Sequence, residues 1–360
     1  MKSFAQKESS LRWNSPSVQV LFQLLRIALG KEKPTSLPND VNWQDVYDLS
    51  IRQSVCAIAC DGMLAMENCE IDDELRYKWI GQSMVIERKG IHQWETICSL
   101  ADLYAQHGIK INVLKGFSYA SYYPQPYHRQ SSDIDICLMD DFEKGNLIVE
   151  REIGDVVDRS ESKHSHFFFN GIHIENHQFC IGIKGSRYNK ELEKKFRNLL
   201  NETGVRMDGS NMIRPIWLFN ALFFMVHARN HFLVEEGITM KNLCDWLMLR
   251  EGMEVTTNME DFWIVCDQVG LLKFAKVIDE VVDYMKDGGS LSEYGQWMLQ
   301  DILSRKSAKH SINKTIAHLN MIRMIWANRW KYQYYSDSTA IKVIARYVYG
   351  YLFDRNPMLN

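Results

Sequence analysis

The spacing of apolar residues in the first hundred positions is typical of helices. Between residues 15 and 30 they recur every three or four positions, with Pro16 at the first helical position. After a linker that carries two prolines, helical spacing resumes at 41–66, and a longer helical pattern covers 72–107. We therefore expect a mostly helical N-terminal region over residues 1–107.

Short apolar runs bounded by turn residues follow and predict strands. They are KINVL, SDIDICL, HSHFFF and IHIENHQF. Helical spacing then returns, and the run at 215–232 is apolar around much of its circumference, which is typical of a buried helix. The sequence thus predicts an α+β fold, with a small mixed β-sheet core at 108–185 and a C-terminal helical domain at 186–360.

Two carboxylates interrupt one of the predicted strands, in the run SSDIDI. Because Asp133 and Asp135 alternate with Ile134 and Ile136, both carboxylates point to one face of a strand and both isoleucines to the other. Like charges this close repel unless a cation lies between them, and hard divalent ions such as Mg²⁺ take oxygen ligands of this kind. An edge strand with its polar face in water is the alternative.

A second polar face is predicted around Asn170-Gly171, the strongest short signal for a hairpin with a type I′ turn. The turn fixes the register. The expected pairs are Phe169 with Ile172, Phe168 with His173, His166 with Glu175 and His164 with His177. One face is then apolar, and the other carries His164, His166, His173, Glu175 and His177.

If this polar face continues the one that bears the two aspartates, Glu175 supplies a third carboxylate to a divalent-metal site. Cross-strand polar pairs on a solvated face are the alternative reading of the histidines.

The run VLKGFS, which precedes the aspartates, has features of a phosphate-binding turn. A strand that ends at Gly116 before a short helix presents backbone N–H groups at the helix N-terminus, which favours phosphate. Gly116 permits close approach of the backbone, Ser118 adds a hydroxyl, and Lys115 could reach a phosphate as a point charge.

Farther along the chain, His227 and His231 lie one helical turn apart, and Asp245 falls in the next predicted helix. The residues between the histidines lack the glutamate that a zinc hydrolase would carry as its base. We expect the two histidines to hydrogen-bond Asp245 and lock two helices together. A contribution to a ligand cleft is the alternative.

Composition and charge limit the classes of partner. A formal net charge of −3 gives no electrostatic reason to expect binding to a long nucleic acid or an anionic membrane. The eight cysteines form no CxxC pair, and the first residues lack an apolar signal core. The longest apolar runs are shorter than the roughly 20 residues of a membrane span. We expect a soluble cytoplasmic protein with reduced thiols and no membrane partner.

The chain combines a strand ending in Gly-x-Ser, an Asp-x-Asp strand and a later single acid. This combination resembles the nucleotidyltransferase superfamily, which shares the fold of DNA polymerase beta. More closely, LKGFSYASYYPQPYHRQSSDIDICL followed by IHIENH resembles the family of uncharacterised bacterial nucleotidyltransferases. The likeness extends to VNWQDVYDLSIRQSVCAIA upstream and to HARNH and LCDWLML downstream, and so covers most of the chain. Phe117 is a departure, because the wider superfamily has Gly directly followed by Ser or Gly.

The resemblance implies an enzyme dependent on Mg²⁺ or Mn²⁺ that moves an NMP from an NTP, with ATP expected, to an acceptor hydroxyl. It implies that Asp133 and Asp135 hold two metal ions and that Glu175 holds the ion that activates the acceptor. The implied nucleotide-binding residues are Lys115, Gly116, Ser118 and Arg129. The acceptor is open among a small molecule, a protein and an RNA, and the weak net charge disfavours a long nucleic acid.

Two other functions remain open. A nucleotide-binding module that regulates a partner without catalysis would keep the same residues. A zinc hydrolase would instead use the histidine hairpin. The further candidate residues of the cleft are His164, His166, His177, His227, His231 and Asp245.

Overall fold

Helices from both ends of the chain flank a mixed β-sheet in this α+β fold. The computed structural model describes residues 12–353 except 36, 39–40, 67–68, 161–162, 183–186, 209, 235–236, 254–257 and 305–313.

The helices that precede the sheet form where the apolar spacing predicts them. They are α1 (Pro16–Ala28), α2 (Trp43–Arg52), α3 (Cys56–Leu64) and α4 (Asp73–Gln106). The N-terminus of α4 is capped by Asp72, whose side chain accepts a hydrogen bond from the Leu75 N–H. The helical pattern at 41–66 is divided between α2 and α3 at Ser54, whose φ of 57° is incompatible with a continuous helix.

The described strands form one sheet. They are β1 (Ile111–Leu114), β2 (Ile134–Cys137), β3 (His164–Phe169), β4 (Ile172–His177), β5 (Val205–Arg206) and β6 (Met212–Arg214). Their order across the sheet is β3-β4-β2-β1-β6-β5. β2 is antiparallel to β1 and parallel to β4, so the Asp-x-Asp strand is central. The short strands β5 and β6 lie beyond the predicted core range of 108–185.

The hairpin of β3 and β4 has the register expected from its turn. All four predicted pairs are present, from Phe169 opposite Ile172 to His164 opposite His177. Asn170 and Gly171 have φ values of 50° and 75°, the positive values that a type I′ turn requires. The predicted hairpin is therefore confirmed, including which residues share a face.

Shorter helices interrupt the strands, and longer ones follow them. The interrupting helices are α5 (Gly116–Ala120), α6 (Phe142–Ile148) and α7 (Arg187–Leu200). Those that follow are α8 (Trp217–Val234), α9 (Met240–Glu251), α10 (Met259–Gln268), α11 (Leu272–Asp287), α12 (Glu293–Leu303), α13 (Lys314–Ala327), α14 (Arg329–Tyr335) and α15 (Ala340–Phe353). Among the described residues, no helix is both long enough and apolar enough to cross a membrane.

The two faces of the sheet pack against different apolar cores. Ile134 and Ile136 of β2 and Ile174 of β4 belong to a smaller core, which they share with the C-terminal half of α4. Leu114 and Cys137 face a larger core, which joins α1–α3 to α8–α12. Asp135 lies between Ile134 and Ile136 and therefore faces the larger core, on the side that α8 covers. The eight cysteines are free thiols, and all but Cys98 are buried.

Candidate active site

Two neighbouring strands carry the acidic residues of the candidate site. Asp135 on β2 lies directly opposite Glu175 on β4, and Asp133 immediately precedes β2. Ligand atoms of Asp135, Glu175 and His177 lie within 4.8 Å of one another, as do those of Asp133, His173 and Glu175. Glu175 belongs to both groups, so the structure brings it within reach of both aspartates. Metal binding by these residues stays a prediction.

Asp135 is a buried carboxylate that two donors stabilise. Its side chain is 2% exposed, and its Oδ1 lies 2.7 Å from Lys115 Nζ and 2.8 Å from His177 Nε2. Burial alone would raise the pKa of Asp135, but the charge of Lys115 and the hydrogen bond to His177 hold it well below its usual range. The other ring nitrogen of His177 faces the Phe179 carbonyl at 3.3 Å. His177, predicted as a possible cleft residue, thus contacts the site directly.

Lys115 supplies the positive charge among the three carboxylates. Burial would lower the pKa of Lys115, but Asp135, followed by Asp133 and Glu175, raises it above its usual value. The residue has a φ of 42°, and Gly116, which begins α5, has a φ of 36°. A positive φ at lysine costs free energy and is uncommon. The turn from β1 to α5 is therefore strained at the residue whose ammonium contacts Asp135.

Ser118 and Arg129 are held by the C-terminal helices. Ser118 is fully buried and donates a hydrogen bond to Asn220 Oδ1 of α8 at 2.9 Å. Arg129 donates two hydrogen bonds to Asp245 of α9, at 2.7 and 2.8 Å. These contacts attach the predicted nucleotide-binding segment to α8 and α9. Direct contact of Ser118 and Arg129 with a nucleotide stays a prediction.

Asp245 has two partners that the sequence did not predict. The carboxylate accepts hydrogen bonds from Arg129 and from the hydroxyl of Tyr123, the latter at 2.7 Å. The expected pairing with His227 and His231 stays a prediction. A guanidinium can donate two parallel charge-assisted bonds to a carboxylate, which an imidazole cannot do. Sequence spacing could not identify Arg129 as a partner of Asp245, because the two residues are distant in sequence and close in space.

His227 lies near the face of the sheet that carries Asp135 and Glu175. Its ring contacts Phe223 with a centroid separation of 4.3 Å, and the Phe223 ring lies 6.5 Å from His177. Burial and the nearby charges of Lys115 and Lys163 lower the pKa of His227 well below its usual range. A neutral imidazole from α8 therefore lies beside the site. The ring of His231 is farther along the helix, 6.3 Å from that of His227.

Two lysines that no sequence pattern singles out border the site. Lys163 immediately precedes β3, and burial and the charge of Lys115 lower its pKa. Lys241, near the start of α9, donates a hydrogen bond to the Gln130 carbonyl at 3.4 Å. Burial, followed by repulsion from Arg129, lowers the pKa of Lys241 to about 8. Neither lysine belongs to a periodic pattern or a motif, so no sequence signal distinguished it from a surface lysine.

The histidines of the hairpin adjoin the carboxylates. The rings of His164 and His166 have centroids 4.3 Å apart, and His166 Nδ1 lies 3.2 Å from His173 Nε2. Ligand atoms of His164, His166 and Glu175 lie within 4.8 Å of one another. The polar face predicted for the hairpin is thus continuous with the carboxylate cluster through Glu175.

Three features of the site lie together in space. They are the strained Lys-Gly turn, the central Asp-x-Asp strand and the single acid on the neighbouring strand. A family model described as "Uncharacterised nucleotidyltransferase" matches residues 39–281, more than half of the chain. The chain belongs to this family. No curated protein and no solved structure matches it. The matched range contains every candidate site residue, and membership supports nucleotidyl transfer from an NTP as the general activity.

Proposed function

We propose that this nucleotidyltransferase family member catalyses Mg²⁺-dependent transfer of an NMP from an NTP, with ATP as the expected donor, to an acceptor hydroxyl. The observation that carries the proposal is the register of β2 and β4, which places Glu175 directly opposite Asp135. A third carboxylate beside an Asp-x-Asp pair completes an oxygen-rich cluster on one face of the sheet.

The residues present fit a hard divalent ion. Three carboxylates offer the oxygen ligands that Mg²⁺ and Mn²⁺ accept, and the ammonium of Lys115 compensates the charge of only one of them by direct contact, Asp135. Asp133 and Asp135 would hold two such ions, and Glu175 would hold the one on the acceptor side. When bound, the ions supply charge neutralisation at the attacking and leaving oxygens.

The protein's own residues would bind and orient the triphosphate. Lys115 lies beside the turn that begins α5, and Lys163 and Lys241 add positive charge around the same carboxylates. Phosphate oxygens are strong acceptors for ammonium groups. His177 and Lys115 hold the carboxylate of Asp135 in one orientation. Three lysines on different elements are suited to a ligand that carries several negative charges.

The first test is thermal unfolding of the wild type and of Asp135→Asn, with each of the four NTPs, with and without Mg²⁺. A ligand at about 100 times its Kd adds about 2.7 kcal/mol to stability. We expect a stabilisation that requires both Mg²⁺ and a nucleotide and that Asp135→Asn abolishes. Asp140→Asn is the matched control, because that side chain is fully exposed and lies beyond the end of β2.

Pyrophosphate release with a panel of acceptors then tests catalysis. Release that Asp135→Asn abolishes and Asp140→Asn retains would support nucleotidyl transfer. If nucleotide stabilises the protein only with Mg²⁺ but no acceptor leads to pyrophosphate release, the regulatory binding module would be favoured. Wild-type turnover by Asp135→Asn would rule out the proposed metal assignment.

A further inference from the structure

The outer strand of the sheet carries two histidines that the proposed transfer reaction does not use. His164 and His166 alternate along β3, so both rings lie on the polar face of the hairpin. In the described sheet, β3 is an edge strand, and both histidines are partly exposed. An ion could therefore reach them from solvent.

The neighbouring strand adds a third ligand. Glu175 lies directly opposite His166 across the β3–β4 ladder, where facing side chains are close enough to contact. Ligand atoms of His164, His166 and Glu175 all lie within 4.8 Å of one another. The contact between His166 Nδ1 and His173 Nε2, at 3.2 Å, restrains the His166 ring, as neighbouring polar groups do for metal-bound histidines.

The donor set differs from that of the aspartates. Imidazole nitrogen suits transition metals such as Zn²⁺, Co²⁺ and Ni²⁺, whereas Mg²⁺ prefers oxygen ligands and retains several waters. Two imidazoles and one carboxylate leave coordination positions open to water or substrate. We propose that His164, His166 and Glu175 bind a divalent transition-metal ion, at a position beside the carboxylates assigned to Mg²⁺.

Glu175 couples the two positions. It belongs to the histidine group and also to the groups with Asp133 and with Asp135. This step rests on the proposed function. Because Glu175 is shared, a transition-metal ion on the hairpin withdraws it from the Mg²⁺ site. Zn²⁺ would then inhibit nucleotidyl transfer, and excess Mg²⁺ with nucleotide would weaken Zn²⁺ binding.

The direct test uses the full chain without an affinity tag, treated with a chelator and free of nucleotide. Zn²⁺ affinity is measured by competition with a chromogenic chelator, and Co²⁺ serves as a spectroscopic probe through its visible d–d bands. We expect one ion per chain, with a nitrogen- and oxygen-ligated Co²⁺ spectrum. His166→Gln and His164→Gln should each lower the Zn²⁺ affinity by more than about 100-fold, beyond the loss typical of an indirect partner.

His92→Gln is the matched control. Its Nε2 contacts the Asn170 carbonyl at the tip of the hairpin, and it belongs to none of the three candidate ligand groups. Circular dichroism of each variant checks that the hairpin still folds. Absence of stoichiometric Zn²⁺, or an affinity that both histidine variants retain, would overturn the inference.

The assay contains no nucleotide, so its result is separate from that of the proposed function. If Zn²⁺ binds but no nucleotide raises the melting temperature in the presence of Mg²⁺, the hairpin site is supported and the proposed reaction is contradicted. If nucleotide and Mg²⁺ raise the melting temperature but Zn²⁺ does not bind, the proposed reaction is supported and the hairpin site is contradicted.

Discussion

Lys115 combines two unusual features, a positive φ and an ammonium group that faces three carboxylates. A bound divalent ion would contact the same carboxylates. The ammonium of Lys115 and the ion would therefore compensate the same negative charge. The sequence predicted the acids and the lysine, because each belongs to a short motif. It could not predict that the lysine contacts Asp135, since that contact depends on how β1 and β2 pair.

Replacing Lys115 by methionine tests this shared compensation. In Lys115→Met the buried Asp135 loses one of its two donors, which should cost about 3 kcal/mol at neutral pH without Mg²⁺. We expect Mg²⁺ alone to raise the melting temperature of the variant more than that of the wild type. Lys144→Met, at an exposed lysine, should behave as the wild type. Equal Mg²⁺ responses in Lys115→Met and the wild type would contradict shared compensation.

Lys241 gives a pH-dependent prediction. Its pKa falls from 10.5 to about 8 on folding, so the unfolded chain binds more protons in this interval and stability rises with pH there. Keeping Lys241 charged in the folded protein therefore lowers the free energy of unfolding. This loss is fully present below pH 8 and disappears as the pH approaches 10.5. Allowing for partial exposure of the side chain, Lys241→Met should be more stable than the wild type by about 2 kcal/mol near neutral pH.

Urea unfolding across this pH interval measures the effect. The difference between Lys241→Met and the wild type should shrink as the pH rises through the interval. Lys194→Met, an exposed lysine on α7, provides the control and should show little difference at any pH. A difference of constant size for Lys241→Met would mean that its ammonium is not the source of the cost.

At the scale of elements, the hairpin was predictable in full and the sheet only in part. Asn170-Gly171 fixes one register, and alternation then assigns every side chain to a face, because both signals are local. The short strands β5 and β6 contain two and three residues and give no periodic signal. β6 pairs in parallel with β1 across about a hundred residues of sequence, and β5 pairs with β6, so local patterns do not encode their place in the sheet.

The turn of this hairpin should be sensitive to an added methyl group. Gly171 has a φ of 75°, so Gly171→Ala should destabilise the protein by about 1 kcal/mol through backbone strain alone, since nothing lies within 4 Å of the added Cβ. Gly182→Ala is the matched control, because that site is equally open and its φ lies outside the left-handed range. Urea unfolding compares the two, and equal stability would show that the turn tolerates other conformations.

At the scale of the whole molecule, the candidate site is assembled from segments far apart in the chain. Arg129 and Tyr123 contact Asp245 of α9, and Ser118 contacts Asn220 of α8. Motifs located the first partner of each pair. The sequence also singled out Asp245, but as a partner of His227 and His231, and it gave no signal for Asn220 in its apolar helix. These connections therefore required the structure.

Breaking the link between Arg129 and Asp245 should affect stability strongly. Asp245→Asn leaves a buried guanidinium without its charged partner, at an expected cost of about 3–5 kcal/mol in urea unfolding. The double variant Arg129→Met/Asp245→Leu removes both charges and should recover much of that loss. A double variant no more stable than Asp245→Asn would show that the cost arises from packing and not from the unpaired charge.

The family match and the larger apolar core end at different places in the chain. The family match ends at residue 281, inside α11, yet the larger core continues through Met298 and Ile302 of α12. The side chain of Gln53 also donates a hydrogen bond to the Ile302 carbonyl at 2.9 Å. A fragment trimmed to the homologous region would thus expose an apolar surface that these helices normally cover, and should aggregate. The helices after residue 281 lie outside the family match, yet they bury part of the same core that the matched region builds.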